Sequence, residues 1–383
     1  MLRFILESTL AAPVLIYSPY NPRMQKAAKQ FLLDLLATPS PSGFEARCAR
    51  VWLDYVKPFA DETLTDAYGN AFAIVNPKGD PTVLLEGHSD EIGLMAAYID
   101  EEGFIWVNAI GGVDPKMMLA KRVIVHTADG PLPGVIGALA PHLQTAELRE
   151  KSPTMVDLDV DVGASSRAEA QKMLRIGDPI TVDHGPVELL NGTLAARSCD
   201  NKIGIWSSAE ALRRYAQGPK GSACVVAAAH VQEEVGLHGA AMGAYRYNPH
   251  AAIVVDVTNA TDFPLVEKKL RSEIQMGQGP ALRIGPVAHP KVNERLEAVA
   301  GKAKINLQRV PIPGRSGTNA NAVFTTRQGV PTAILSTPNR YMHSPSETID
   351  LGDLDQIPTL MAGFCQSLKK GERFTVHPGG KSH

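Results

Sequence analysis

The sequence contains little cysteine and no block of charge of one sign. Its four cysteines, Cys48, Cys199, Cys224 and Cys365, lie far apart among 383 residues, and no two form a CxxC pair. This density is too low for the disulfide scaffold of a small secreted protein, and it indicates a reducing compartment. We therefore expect a cytoplasmic protein.

The charge balance is close to neutral. The chain has 38 Lys and Arg residues against 40 Asp and Glu residues, which gives a net charge of −2 and a pI near 6.6. Without a basic field, the chain has no general electrostatic attraction for nucleic acid. The sequence also shows no internal repeat and no low-complexity tract. The expected partners are therefore small or neutral molecules.

The first 23 residues differ from the rest of the chain. Residues 1–20 are largely apolar with an early Arg3, as in a weak signal peptide, but Glu7 interrupts them. The apolar part is too short to span a membrane, and no clear small-residue cleavage site follows it. A helical pattern begins only at Met24. We therefore interpret residues 1–23 as an N-terminal extension or an upstream start, with export as the alternative and no membrane association expected.

The remaining chain indicates an α/β protein with two domains. Its length exceeds what one hydrophobic core usually holds. Helical patterns alternate with short apolar segments, which is typical of a sheet covered by helices. Helices are predicted over residues 25–37, from 45 onward, over 200–215 and over 353–370, and strands over 82–85, 223–231, 251–255 and 332–335.

Residues 93–187 have a different character. Short β-like segments separated by Gly and Pro are typical of a small barrel or sandwich. We therefore predict an inserted β-rich domain over 93–187 and a discontinuous α/β domain over 24–92 and 188–383. The predicted β segments of the insert are 105–109, 122–126, 134–136 and 155–160, with one short helix at 166–173.

Two adjacent carboxylates, Glu233 and Glu234, follow a strongly apolar segment. Residues 223–231 have the near-continuous apolar pattern of a strand buried on both faces. Neighbouring side chains on a strand point to opposite sides, so one acid can bind a cation while the other handles a proton. A Glu-Glu pair by itself is more often a solvated strand end, so this interpretation depends on residues elsewhere.

Further candidates lie at the ends of predicted elements. They are His88, Asp200, Asp256 and His343, and Asp90 follows His88 by two residues. Each alone has a structural explanation, such as a surface hydrogen bond for the histidines or a helix cap for Asp200. With Glu234, however, they supply two imidazoles and three carboxylates. Two zinc-like cations require this set when one carboxylate bridges them, and α/β folds bind ligands at such strand ends.

In these motifs the chain resembles the dinuclear-metal aminopeptidases that assemble into tetrahedral dodecamers, a family often labelled glutamyl aminopeptidase or endoglucanase M. The resemblance covers residues 24–370 and implies a mixed-sheet zinc-aminopeptidase fold of the phosphorylase/hydrolase-like kind with an inserted small β-barrel. The matching motifs are His88-Ser-Asp-Glu-Ile-Gly, Ala140-Pro-His-Leu, Asp161-Val-Gly-Ala-Ser-Ser-Arg167, Asp200-Asn-Lys, Glu233-Glu-Val-Gly, Asp256-Val-Thr and His343-Ser-Pro.

The resemblance also implies a role for each candidate residue. The cofactor would be two divalent metal ions per subunit, with zinc expected and cobalt or manganese as alternatives. The insert would be the assembly and substrate-access domain of a homo-oligomer, most simply a dodecamer. Because His142 lies within the insert, we expect a structural or subunit-contact role for it, with catalysis as the alternative. In this scheme His88 and Asp256 bind one metal ion, Glu234 and His343 bind the other, Asp200 bridges them, Asp90 orients His88, and Glu233 is the catalytic base.

Two residues depart from the family pattern. Residues 317–319 are Gly-Thr-Asn, where the family usually has Gly-Thr-Asp. Asn319 therefore replaces an acid, and a negative charge near the substrate region is expected to be missing. Lys202 replaces an Arg beside Asp200. Neither change removes an expected ligand, but the first leaves the substrate preference open. The loops expected to set that preference are residues 259–270 and 311–321.

The expected function is that of an aminopeptidase that cleaves N-terminal residues from short peptides with metal-activated water. Three alternatives remain open at this point. One is a carboxypeptidase or N-acyl-amino-acid deacylase on the same scaffold. Another is a glycosidase in which Glu233 and a second acid act without metal. The last is an assembly protein with a degenerate site.

Overall fold

The computed structural model describes residues 24–219 and 221–376, so the predicted N-terminal extension, residues 1–23, lies outside the described residues. The strands are β1 (Glu62–Thr65), β2 (Ala71–Val75), β3 (Thr82–His88), β4 (Gly93–Ile99), β5 (Ile105–Ile110), β6 (Arg122–Thr127), β7 (Gly130–Ile136), β8 (Asp159–Asp161), β9 (Pro179–Val182), β10 (Val187–Glu188), β11 (Thr193–Ala196), β12 (Cys224–His230), β13 (Ala251–Asn259), β14 (Ala281–Ile284), β15 (Gln308–Pro311), β16 (Thr332–Arg340) and β17 (Glu347–Asp350). The α-helices are α1 (Lys26–Ala37), α2 (Ala46–Val56), α3 (Pro115–Met118), α4 (Ala146–Glu150), α5 (Arg167–Met173), α6 (Cys199–Gln217), α7 (His238–Tyr247), α8 (Lys268–Arg271), α9 (Pro290–Ala303), α10 (Ala320–Val323) and α11 (Leu351–Ser367).

The larger of two sheets is mixed, as predicted. Its strand order is β1-β2-β12-β3-β13-β16-β17-β11-β10, with β14 paired to both β16 and β15. The central strands β12, β3, β13 and β16 run parallel, and the strands flanking them pair antiparallel. The carboxyl ends of four parallel strands therefore meet at one edge of the sheet, where α/β proteins bind their ligands.

Strand β12 is buried along its whole length, which confirms the interpretation of its continuous apolar sequence. Val225 and Ala227 pack into a core shared with α1, α2, α6, α9 and α11. Val226 and Ala228 point to the opposite face and pack with α7 and α10. Burying each such valine contributes roughly 1.5–3 kcal/mol, and burial on both faces holds the strand end in place.

The insert is a closed antiparallel barrel with the strand order β4-β5-β8-β7-β6-β9 and its own apolar core. The predicted strand at 155–160 is partly wrong, because residues 155–157 form a 3-10 turn and β8 begins at Asp159. The Asp157 carboxylate accepts bonds from the Thr154 amide and hydroxyl and so turns the chain. The barrel strands lie within 93–182, and the domain boundaries at 92/93 and 187/188 stay a prediction.

The predicted helices are present at the expected positions, but some of them begin or end at different residues. Helix α11 begins two residues before the predicted start, because the Asp350 carboxylate caps it by accepting bonds from the amides of Gly352 and Asp353. Helix α6 lies between the sheet and the helices α1, α2 and α11. Within the described part of the chain, no helix is both long and apolar enough to cross a bilayer.

Candidate metal centre

The predicted site residues lie together at the carboxyl edge of the parallel strands. His88 ends β3, and the Glu233-Glu234 pair follows β12. Asp256 lies in the last part of β13, and His343 follows β16. Asp200 reaches the same edge because α6, which starts at Cys199, packs against β3 and β13. Four strand ends and one helix start thus contribute to a single site.

Asp200 presents its two carboxylate oxygens to two different histidines. Its Oδ1 lies 3.2 Å from Nε2 of His88, and its Oδ2 lies 3.5 Å from Nε2 of His343. Nε2 of His343 also lies 3.7 Å from Oε2 of Glu234. The Asp200 carboxylate therefore lies between the imidazole nitrogens of His88 and His343 and could contribute to both groups of ligand atoms.

The tautomers of both histidines follow from their neighbours. Nδ1 of His88 lies 3.1 Å from the carbonyl oxygen of Asp90, and Nδ1 of His343 lies 3.1 Å from that of Gly112. A carbonyl oxygen only accepts hydrogen bonds, so each Nδ1 carries the proton. Nε2 of each ring faces Asp200. Although burial opposes it at His88, the neighbouring carboxylates raise the pKa of both imidazoles, so Nε2 is protonated in the metal-free site and would lose that proton, leaving the Nδ1–H tautomer, to bind a metal ion.

Asp90 connects His88 to the Glu233-Glu234 pair. Its carboxylate is fully buried, and Oδ1 lies 3.3 Å from Nδ1 of His88. The same carboxylate accepts bonds from the amides of Glu233 at 2.9 Å and Glu234 at 3.1 Å. The Asp90 carboxylate therefore contacts the imidazole and fixes the backbone of both glutamates, and its role in orienting His88 stays a prediction.

Three overlapping groups of side chains present ligand atoms within 4.8 Å of one another. One group is His88, Asp200 and Asp256, and another is Asp200, Glu234 and His343. These are the two ligand sets expected from the sequence, and they share Asp200. The third group joins His88 to both glutamates. Nitrogen and oxygen donors of this kind suit zinc, cobalt and manganese.

Buried acids crowd this edge and shift one another's pKa values. Burial raises the pKa of Glu233 to about 7 and that of Glu234 to about 9, and the charge of Asp200 adds to both shifts. Burial likewise raises the pKa of Asp256. Burial also opposes ionisation of Asp200, but the two histidines outweigh it and lower its pKa. A site where several acids repel one another favours divalent cations.

A cleft of about 760 Å³ opens over the site. Both loops expected to shape it contribute, with Leu270 from the first and Ile312 from the second. Its walls combine polar and apolar residues. Apart from the site itself, the charged wall residues among the described side chains are Lys269 and Arg283. Arg283 is buried and donates to the carbonyl oxygens of Val257 and Ser316.

Three contacts around the site were not predicted from the sequence. The Ser42 hydroxyl donates to Asp90 at 2.6 Å, although its Pro-Ser-Pro-Ser-Gly segment indicated only a turn. The Gly112 carbonyl accepts from His343, and the Glu347 carboxylate accepts from backbone amides. The one available signal for Glu347 was its place four residues after His343.

The two departures from the family pattern point away from the expected ligands. Asn319 is buried, donates to the Glu86 carboxylate and does not line the cleft. The presence of Asn in place of the usual Asp therefore changes a buried contact. Lys202 is also buried, and its ammonium group donates to Glu91. His142 is exposed in the barrel insert, which agrees with a contact role.

Histidines and carboxylates at the carboxyl ends of parallel strands, beneath an open cleft, define a metal-dependent hydrolase of the α/β class. Comparison with known families makes this specific. The chain belongs to the M42 glutamyl aminopeptidase family, whose sequence model matches residues 69–360. It is therefore a metal-dependent aminopeptidase, and the family and fold class expected from the motifs are confirmed.

Individual relatives agree with this placement. A lysyl aminopeptidase of Pyrococcus furiosus is 36% identical over 346 residues, which cover 89% of this chain and 97% of the relative. The crystal structure of a TET aminopeptidase from a marine sediment archaeon of the Thaumarchaeota superposes with a TM-score of 0.84 at 31% identity, covering 89% and 97% of the two chains. The Pyrococcus horikoshii TET1 peptidase, described as assembling into a tetrahedron or a large octahedral shell, gives a TM-score of 0.80 at 29% identity, with 89% and 100% covered.

Proposed function

We propose that the protein removes N-terminal residues from short peptides by means of two divalent metal ions, with zinc the expected metal. The observation that supports this most directly is the position of Asp200 between Nε2 of His88 and Nε2 of His343. The residues that would hold the ions are His88 and Asp256 for one, Glu234 and His343 for the other, and Asp200 for both.

Glu233 is the proposed general base. Divalent cations bound here would lower the pKa of a water molecule from about 15.7 towards neutrality and polarise the scissile carbonyl. Glu233 lies beside this group, with its Oε2 4.0 Å from Nε2 of His88. Its pKa of about 7 suits a group that accepts a proton from water and later donates it to the leaving amine. Asp90 holds the amide of Glu233 and so orients this base.

The barrel insert is the proposed assembly and access domain of a homo-oligomer, most simply a dodecamer. Several apolar side chains on it are exposed, among them Leu139, Leu143 and Val156. Clusters of exposed apolar side chains mark interaction surfaces. Assembly into closed shells by the Pyrococcus horikoshii relative supports the same interpretation. The four described cysteines are buried and unpaired, which suits the cytoplasm as the proposed location.

A metal-reconstituted substrate panel tests the proposed function. Metal-free protein should cleave no aminoacyl-anilide, and zinc, cobalt or manganese should restore cleavage. Acylated amino acids, carboxy-terminal peptide reporters and a cellulose-derived substrate separate the deacylase, carboxypeptidase and glycosidase alternatives. Full activity in protein that elemental analysis shows to be metal-free would overturn the proposal, and so would preference for any of the three alternative substrates.

A further inference from the structure

One buried carboxylate, that of Glu347, binds the backbone of two proposed metal ligands at once. Its Oε2 accepts a bond from the amide of Asp200 at 2.8 Å, and its Oε1 accepts one from the amide of His343 at 2.8 Å. Glu347 is 3% exposed.

The backbone of Glu347 is itself held on both sides. Strand β17, which begins at Glu347, pairs with β11 along one edge and with β16 along the other. In that register Glu347 lies opposite Ala196, four residues before Asp200. The next residue, Thr348, lies opposite Arg340, three residues before His343. Glu347 therefore lies between the two strands that lead to the two ligands.

Both connections from those strands to the ligands contain left-handed backbone at residues other than glycine. Ser198 has a φ of 59°, Tyr341 a φ of 62°, and His343 itself a φ of 59°. This conformation is strained for a residue with a side chain, so these turns persist only where surrounding contacts hold them. A buried amide that lost its acceptor would destabilise the turn further. The Glu347 carboxylate provides such a contact for both turns.

We propose that Glu347 is a positioning residue that sets the approach of Asp200 to His343 and thereby the affinity of the ligand set formed by Asp200, Glu234 and His343. This inference rests on the metal centre proposed above. Nε2 of His343 lies 3.5 Å from Oδ2 of Asp200, and the two bonds to Glu347 fix the backbones from which both groups extend. Glu347 touches neither substrate nor the reacting atoms in this scheme and acts only through the two ligands.

The substitution Glu347→Gln tests this role with little change in shape. One carboxylate oxygen becomes an amide nitrogen, which donates and therefore repels the N–H group it faces. Zinc binding to the metal-free protein, measured by competition with a chromogenic chelator, should be about 10–100-fold weaker for one of the two ions. At saturating zinc the variant should recover kcat to within a few-fold of wild type.

Asp350→Asn is the matched control. Asp350 lies on the same strand, and its carboxylate also accepts two backbone amide bonds, but these come from Gly352 and Asp353 at the start of α11. This variant should lower the melting temperature of the metal-free protein while zinc affinity stays at the wild-type value. A merely structural role for Glu347 predicts the same behaviour for both variants.

Wild-type zinc affinity and stoichiometry in a folded Glu347→Gln variant would overturn the inference. Should Glu347→Gln not accumulate as folded protein, Glu347→Asp, which keeps the charge but reaches one amide only, should show the same loss of affinity. Unchanged zinc binding by Glu347→Asp would then overturn the inference. Wild-type protein that binds no zinc is a separate result, since it would remove the proposed metal centre and this inference with it.

Discussion

The carbonyl oxygen of Gly112 accepts a hydrogen bond from Nδ1 of His343 at 3.1 Å. Gly112 follows strand β5 of the barrel, whereas His343 follows β16 of the large sheet. The inserted barrel therefore orients a proposed metal ligand that belongs to the other part of the chain. Integrity of the site depends on the barrel as well as on the sheet that presents the ligands.

A side chain at residue 112 should disturb this contact. A Cβ atom there would lie 3.0 Å from Nδ1 and 3.1 Å from Cε1 of His343, so the ring would have to shift. Because a small displacement of a catalytic group is costly, we expect Gly112→Ala to lower kcat/KM about tenfold and to weaken metal binding. Gly137→Ala is the control, since no described atom lies within 4 Å of its Cβ position. Wild-type kinetics and metal content in Gly112→Ala would contradict the role of this contact.

Glu233 and Glu234 should respond differently to substitution. Glu233→Gln removes the proposed proton acceptor but keeps its shape, so kcat should fall by about 10²–10⁴-fold while both metal ions stay bound. Glu234→Ala removes a proposed ligand, so metal content should fall together with the rate. Elemental analysis and steady-state kinetics on both variants check this. The reverse pattern would exchange the two roles, and two unimpaired variants would place the site elsewhere.

The charge of the cleft predicts poor cleavage of basic N-terminal residues. Outside the proposed metal centre, its described charged wall residues, Lys269 and Arg283, are both cations. Their repulsion should make kcat/KM for a lysyl-anilide about tenfold lower than for the similarly sized methionyl-anilide, and the difference should shrink at high salt. Lys269→Gln should raise lysyl-anilide cleavage selectively. Faster cleavage of the lysyl substrate by the wild-type protein would refute this expectation.

Stability at acid pH should depend on Glu91. Burial opposes its ionisation, but Arg197 and Lys202 outweigh burial and lower its pKa to about 2 from 4.5. The folded protein thus binds this proton more weakly than the unfolded chain does. The stabilisation is therefore complete above pH 4.5 and is lost as the pH falls towards 2. Glu91→Gln should lower the free energy of unfolding by about 3–5 kcal/mol at pH 7, because two buried cations lose their carboxylate.

Chemical denaturation of the metal-free proteins between pH 7 and pH 3 checks this prediction. The difference between wild type and Glu91→Gln should shrink as the pH is lowered below 4.5. Glu188→Gln is the control, because its pair with Lys29 is exposed and should contribute less than about 1 kcal/mol. A difference for Glu91→Gln that stays constant with pH would show that its carboxylate is not the cause.

The proposed oligomer should depend on the exposed apolar residues of the barrel insert. Leu143 is 62% exposed and Val156 is 77% exposed. Charges placed in a subunit interface would be buried without partners, so Leu143→Asp combined with Val156→Asp should give smaller species by light scattering. Tyr68→Asp, at a residue 63% exposed outside the insert, should leave the assembly intact. A wild-type monomer at micromolar concentration with metal present would refute the assembly itself.

Local sequence patterns were sufficient for the four parallel strands β3, β12, β13 and β16, and they drew attention to the residues at the ends of these strands. The apolar run of β12 predicted a strand buried on both faces, and the acids that follow it were recognisable as site candidates because strand carboxyl ends bind ligands in α/β folds. The family motifs then related each candidate to a role. Less regular segments were harder to predict. Residues 155–157 have a β-like pattern but form a turn, because the Asp157 carboxylate accepts bonds from the amide and hydroxyl of Thr154.

Only the tertiary structure decided which groups surround those residues. Gly112 and His343 are 231 positions apart, and Glu347 and Asp200 are 147 apart, so no periodicity relates them. Their contacts depend on the order of strands in the sheet and on the position of the barrel beside it. The sequence also did not show which way the side chain of residue 319 points. Asn319 is buried against Glu86 and does not line the cleft. Periodicity reports which face of an element is apolar, whereas the partner across that face is set by the packing of the whole chain.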